Sequence, residues 1–190
     1  MMTARAVCAG ALLSMFALGS AQAQDGNSHR GFWIGFGLGA GWNTVPDEDT
    51  QAGGALYARL GGTLSQKWLL GGEAYGWGRR TEDAVLGADV TLSRGNASFI
   101  AMFYPSNSGG FYLKGGLGFS YVTRSADIEG LNISASSGGL GTSFGLGYDI
   151  RLGSNIYLVP AFDWLFQAIE EDDESENSSI FLISVGLIWH

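Results

Sequence analysis

The sequence predicts an all-β protein, an eight-stranded antiparallel up-and-down transmembrane β-barrel. Three observations carry this. Bulky apolar residues alternate with glycine and small polar residues at period two, the mark of strands with two unlike faces. The connectors between these runs alternate between short and long. The composition joins 46% hydrophobic residues and 31 glycines to only 15% charged residues. With no Gly-X-Y period collagen is excluded, and so much apolar side chain is incompatible with disorder. The length of 190 residues suits one domain or at most two small ones. Beyond the N-terminal region no apolar run is long enough for a spanning helix. A net charge of −8 argues against a nucleic-acid surface, which needs clustered Lys and Arg.

Residues 1–23 read as a cleaved signal peptide. Arg5 supplies the positive n-region, Val7 to Leu18 the apolar core, and Ala21-Gln22-Ala23 a small-x-small cleavage site. Residues 24–190 then form the barrel domain. Cys8, the only cysteine, leaves with the leader, which removes disulfides, Cys–His zinc sites and thiol nucleophiles from the mature chain.

Eight segments follow in order: 31–42, 54–64, 68–79, 86–104, 110–124, 138–151, 155–167 and 179–189. The first alternates Phe32, Ile34, Phe36, Leu38, Ala40 and Trp42 against Trp33, Gly35, Gly37, Gly39 and Gly41. The sixth sets Leu140, Thr142, Phe144, Leu146, Tyr148 and Ile150 against a face that is mostly glycine. The eighth sets Phe181, Ile183, Val185, Leu187 and Trp189 against Leu182, Ser184, Gly186 and Ile188. A glycine-rich face suits the crowded interior of a narrow closed barrel, with the bulky face turned to lipid. The fourth segment is long for one strand. Its phase slips near Arg94-Gly95-Asn96, which predicts a loop or bulge there.

Ser65-Gln66-Lys67, Pro105–Gly109 and Leu152-Gly153-Ser154 are short connectors. Residues 43–53, 80–85, 125–137 and 168–178 are mostly longer and more polar. That alternation is the outer-membrane pattern, and an even strand number puts both termini at the short-turn, periplasmic end. Trp42, Trp68, Trp164 and Trp189 lie near strand ends and are expected in an aromatic girdle. Trp33 and Trp77 fall on the inward phase instead.

Six charged residues take the inward phase: Arg59, Glu73, Lys114, Asp149, Arg151 and Asp163. An Arg or Lys facing lipid at the midplane costs about 2–4 kcal/mol, so the lumen is the cheaper side. The hairpin centred on Gln66 sets Arg59 directly opposite Glu73, which predicts an ion pair. It is read as part of a satisfied interior network, since buried charge must be paired. A gate or polar plug in a narrow pore is the other reading.

At these residues the chain resembles the small outer-membrane β-barrel family of the OmpA/OmpX type. The resemblance runs over nearly all of residues 31–190. It is carried by 35-GFGLGAGW-42, 71-GGEAYGW-77, 103-FYPSNSGGFYLKGGLGFSY-121 and 181-FLISVGLIW-189. It implies a Gram-negative outer-membrane location. It also implies recognition of the last strand, with its aromatic Trp189, by the outer-membrane assembly machinery; His190 follows that aromatic. Enzymes of this architecture, the lipid A palmitoyltransferases and deacylases, resemble one another in using a His with Ser or an acid near the outer leaflet. Here His29 and His190 both belong to the periplasmic end, so such an enzyme lacks its base. No catalytic, cofactor or metal residues are therefore expected.

Asp47-Glu48-Asp49 and 170-EEDDESE-176 make the long loops acidic. The second run has no EF-hand spacing, so it reads as a solvated, mobile segment. Loose divalent bridging to lipopolysaccharide phosphates is a further reading. The expected role is structural or interactive at the cell surface, with outer-membrane lipid and lipopolysaccharide as partners, no nucleic acid, and a monomeric state. The alternative is a narrow pore for ions or small apolar molecules. A secreted lipocalin-like barrel would instead turn the bulky face inward.

Overall fold

The structure is a computed structural model that describes residues 29–46, 48–83, 88–107, 109–128, 131–171 and 174–190. The leader assigned to residues 1–23 lies outside them. The strands are β1 (Phe32–Thr44), β2 (Gln51–Ser65), β3 (Trp68–Asp83), β4 (Ala88–Phe103), β5 (Phe111–Ile128), β6 (Leu131–Tyr148), β7 (Ile156–Glu171) and β8 (Glu174–Trp189). Ile150–Arg151 continues β6 against β7 in unchanged register. The ladder lapses at Tyr148, which faces Pro160. Pro160 has no N–H to give, and in a closed sheet every strand is interior. All pairings are antiparallel between chain neighbours, and β1 pairs with β8 from Ile34↔Trp189 to Thr44↔Ser179. Closure leaves no strand edge, so outside the Tyr148–Pro160 lapse the backbone of the wall pairs along its ladders without water.

The wall has the polarity of a membrane barrel. Leu38 and Phe119 are each 73% exposed on the outer face, while Trp33, Leu69, Ile100 and Ile188 are fully buried inside. A soluble ligand-binding barrel would reverse this, so the lipocalin-like reading is overturned. Trp68 packs on Phe103 and Trp189 on Phe36 at the short-turn rim. Trp42 lies opposite Phe181, and Trp164 stacks on Phe181 and tilts against Phe144 at the far boundary of the belt. From Phe181 to Trp189 the strand covers about 26 Å before tilt, the scale of an outer-membrane apolar band.

Two sequence expectations need correction. The fourth segment contains no bulge: β4 pairs continuously with both β3 and β5 through Arg94-Gly95-Asn96. Gly95 is buried on the outer face because the ring of Tyr121, directly opposite, lies over it. The interruption in the sequence pattern is an aromatic covering a glycine. An irregularity does occur between Thr63 and Ser65, beside the tight turn where Ser65 Oγ accepts from the Lys67 and Trp68 amides. The long connectors also shrink. Strands run 13 to 18 residues where about 9–11 suffice to cross, and the excess lies at the long-connector end as hairpin. There, 125–137 is strand up to Ile128 and from Leu131, and 168–178 is strand up to Glu171 and from Glu174.

Candidate functional site

The lumen is filled in layers. From the short-turn end, the first apolar layer holds Trp33, Leu69, Ile100, Met102, Tyr112 and Val159. Next comes a charged layer of Arg59, Glu73, Lys114 and Asp163. Beyond it, Tyr57, Tyr75, Trp77, Leu165, Ile180 and Leu182 form a second apolar layer. The glycine face makes this possible. The Trp33 indole lies against Gly61 and Gly71, the Tyr57 ring against Gly37 and Gly186, and the Trp77 indole against Gly53. Each flat ring occupies the volume that side chains on the wall would have taken.

The charged layer is electrically balanced, with two cations and two carboxylates. Lys114 Nζ lies 2.7 Å from both Glu73 oxygens and 2.7 Å from Asp163 Oδ1. The Tyr75 hydroxyl donates to Asp163 Oδ2. Gly145, opposite Asp163, leaves the room that carboxylate needs. Arg59 does stand directly opposite Glu73 in register, but its Nη1 is 3.9 Å from the carboxylate. It donates to the Tyr57 hydroxyl at 3.1 Å and lies over the Tyr57 and Tyr112 rings. Glu73 therefore has Lys114, across the lumen, as its nearer partner. Such a layer is costly to desolvate and is tolerated because its charges meet.

Asp149 is buried at the short-turn mouth, apart from that layer, and accepts from the Tyr104 hydroxyl at 2.8 Å. Arg151 is not a lumen residue. It is exposed past the rim, where Nε donates to the Gly153 carbonyl at 2.9 Å. Arg151 pairs with β7 alone, past the last β5–β6 pair at Phe111↔Tyr148, so the period-two phase no longer decides inside from outside.

Sequence reasoning missed a polar cluster at the long-hairpin end. Arg94 is 2% exposed and donates to Ser178 Oγ at 3.1 Å and to Glu176, which Arg124 also holds at 2.7 Å. Gln167 donates to the Gly95 carbonyl and to Asn96 Oδ1. The supposed slip at Arg94 hid its inward phase. Part of the acidic run is likewise no solvated loop: Glu176 turns inward, while Asp172 and Asp173 lie outside the described residues.

Glu176 sits beyond the apolar belt. Burial pushes its carboxyl up, but Arg94 and Arg124 outweigh this and hold it below the ordinary range. Its folded pKa is thus lowered, so its contribution is present above the unfolded Glu value and lost as pH falls through the folded one. We expect hydrogen exchange in the β7–β8 hairpin to quicken below the usual carboxylate range, and Glu176→Gln to abolish that acid step. An unchanged acid profile in Glu176→Gln would contradict the assignment.

A closed antiparallel wall, an apolar outer belt and a packed, charge-balanced interior define an integral β-barrel of the outer membrane. The chain belongs to the outer membrane protein beta-barrel domain family, which matches residues 11–188. No curated protein matches it. Among solved structures it is similar to Ail, the attachment invasion locus protein of Yersinia pestis, at 17% identity and TM-score 0.58. That match covers 84% of this chain and 99% of Ail. It is also similar to Neisserial surface protein A, at 16% identity and TM-score 0.59, covering 86% of this chain and 99% of that one. At these identities the likeness is one of fold. The family places the protein in the outer membrane.

Proposed function

We propose that the protein is a non-enzymatic outer-membrane barrel that acts at the cell surface through its long hairpins, with a lumen that stabilises rather than conducts. The observation that carries this reading is the lumen itself: a paired charge layer closed on both sides by aromatic and aliphatic layers. A lumen filled in this way leaves contact with the surroundings to the hairpin ends. The short-turn end and both termini face the periplasm in this reading, and the extended hairpins face outward. His29 and His190 are then far from the outer leaflet, where a His-dependent lipid enzyme would work. Outer-membrane lipid and lipopolysaccharide surround a monomer, and the assembly machinery reads the strand ending in Trp189.

The test is complementation of a deletion strain with wild type or with a chain whose Glu170–Ser175 tip is replaced by a two-residue Asn-Gly turn. The tip variant is expected to fold and reach the membrane but to lose surface attachment, while the barrier to hydrophobic dyes stays intact. Full attachment by both the deletion strain and the tip variant would sink the surface reading.

A further inference from the structure

We propose that His29, Asp149 and His190 form a binding site for a divalent transition-metal ion of the zinc type, at the short-turn mouth of the lumen. The fold brings together His29, just ahead of β1, Asp149, just past Tyr148 of β6, and His190, just past β8. The β1–β8 closure sets the segment before Phe32 beside the end of β8. The His190 amide donates to the Asn155 carbonyl at 3.2 Å, and the Asp149 amide to the Gly110 carbonyl at 2.9 Å. These bonds fix the backbone from which two of the three side chains project.

His29 Nε2 lies 3.8 Å and His190 Nε2 3.7 Å from Asp149 Oδ2, and one ligand atom from each residue falls within 4.8 Å of the others. Tetrahedral ligands about 2.0–2.2 Å from zinc stand about 3.3 Å apart. Closing the observed triangle onto an ion thus takes side-chain shifts of well under an ångström for the closer pairs. Three protein ligands leave a fourth position for water or an exogenous donor.

A second, independent observation points to a ligand. His29 is 2% exposed and Asp149 1%, yet His29 Nε2, Asp149 Oδ1 and both ring nitrogens of His190 have no hydrogen-bond partner. Unmatched polar atoms in such number at one buried point are costly, and a shared cation would satisfy several together. The surroundings are those of an oriented ligand set. His29 Nδ1 faces the Gln66 carbonyl at 3.3 Å, which can only accept, so Nδ1 carries the proton and Nε2 presents its lone pair. Gln66 Nε2 in turn donates to the His29 carbonyl at 3.0 Å. Tyr104 donates to Asp149 Oδ2, and the rings of Tyr104 and Tyr157 wall the two imidazoles. Two imidazoles and a carboxylate favour zinc or copper(II) over calcium and magnesium, which take all-oxygen shells.

The experiment is calorimetric titration of Zn²⁺ into the untagged, chelator-treated, folded barrel. Excess Mg²⁺ occupies the acidic hairpins throughout. One ion per chain is expected, with affinity falling at least tenfold in Asp149→Asn and in the double variant His29→Gln, His190→Gln. Zn²⁺ should also raise the unfolding temperature of wild type and of neither variant. No saturable step in wild type, or binding unchanged in the double variant, would overturn the proposal. X-ray absorption at the zinc edge of loaded wild type decides the matter if the variants do not fold. Two nitrogen ligands at about 2.0–2.1 Å support the site, and an all-oxygen shell refutes it.

Discussion

Lys114→Met is expected to destabilise the barrel by about 3–5 kcal/mol, the cost of removing one partner from a buried ion cluster. Lys114 Nζ is the cation between Glu73 and Asp163, at 2.7 Å from each. Without it two carboxylates face each other in the lumen, with Arg59 3.9 Å from Glu73 and the Tyr75 hydroxyl on Asp163 left to offset them. Methionine nearly matches the lysine stem in volume, so the loss reports charge rather than packing. Adding Asp163→Asn to Lys114→Met removes one of the stranded charges and should restore part of the loss. That non-additivity marks a shared network. The measurement is urea unfolding in lipid vesicles, followed by tryptophan fluorescence and heat-modifiable migration. A loss below 1 kcal/mol would mean the cluster is solvated, and with it the lumen.

Gly118→Val is expected to have an effect of comparable size, about 3 kcal/mol or more, with much of the chain failing to close. A Cβ at Gly118 would run into the Ala97 carbonyl oxygen and the Ser98 backbone of the neighbouring strand. Neither is a flexible side chain, so the strands themselves must separate. Gly139 is in the same position against the Ala168 carbonyl. Gly62→Val is the control: nothing lies within 4 Å of a Cβ there, so stability should change little. Equal effects at Gly118 and Gly62 would show that β-propensity, not close approach of backbones, explains the glycine face.

Much of the fold is legible in the sequence because strand alternation is local. Phe32 to Trp42 announces two faces, and the glycines on one of them announce a narrow interior. The Arg59–Glu73 register is legible for the same reason, since a tight turn at Gln66 fixes which residues oppose. Partnerships across the lumen are not local. Nothing near Glu73 in sequence indicates that Lys114, on β5, reaches it more closely than Arg59 does. Arg94 was obscured by apolar residues on both faces of β4, where Leu92 and Ile100 point inward and Phe99 outward. Arg151 carries the right phase but stands beyond the rim. His29 and His190 meet only because the barrel closes, and closure joins residues by topology rather than by spacing.

On the reading proposed above, this lumen is packed shut. Single-channel recording of the refolded barrel in a planar bilayer tests it directly, with Arg59→Ala, Glu73→Ala beside wild type. Silence is expected in wild type at both polarities, from protein shown to be folded by heat-modifiable migration. Silence is expected in the double variant too, because the Trp33–Tyr112 layer still blocks the short-turn side. Steady wild-type conductance that changes when Arg59 and Glu73 are removed would contradict it, and would make the charged layer the lining of a pore.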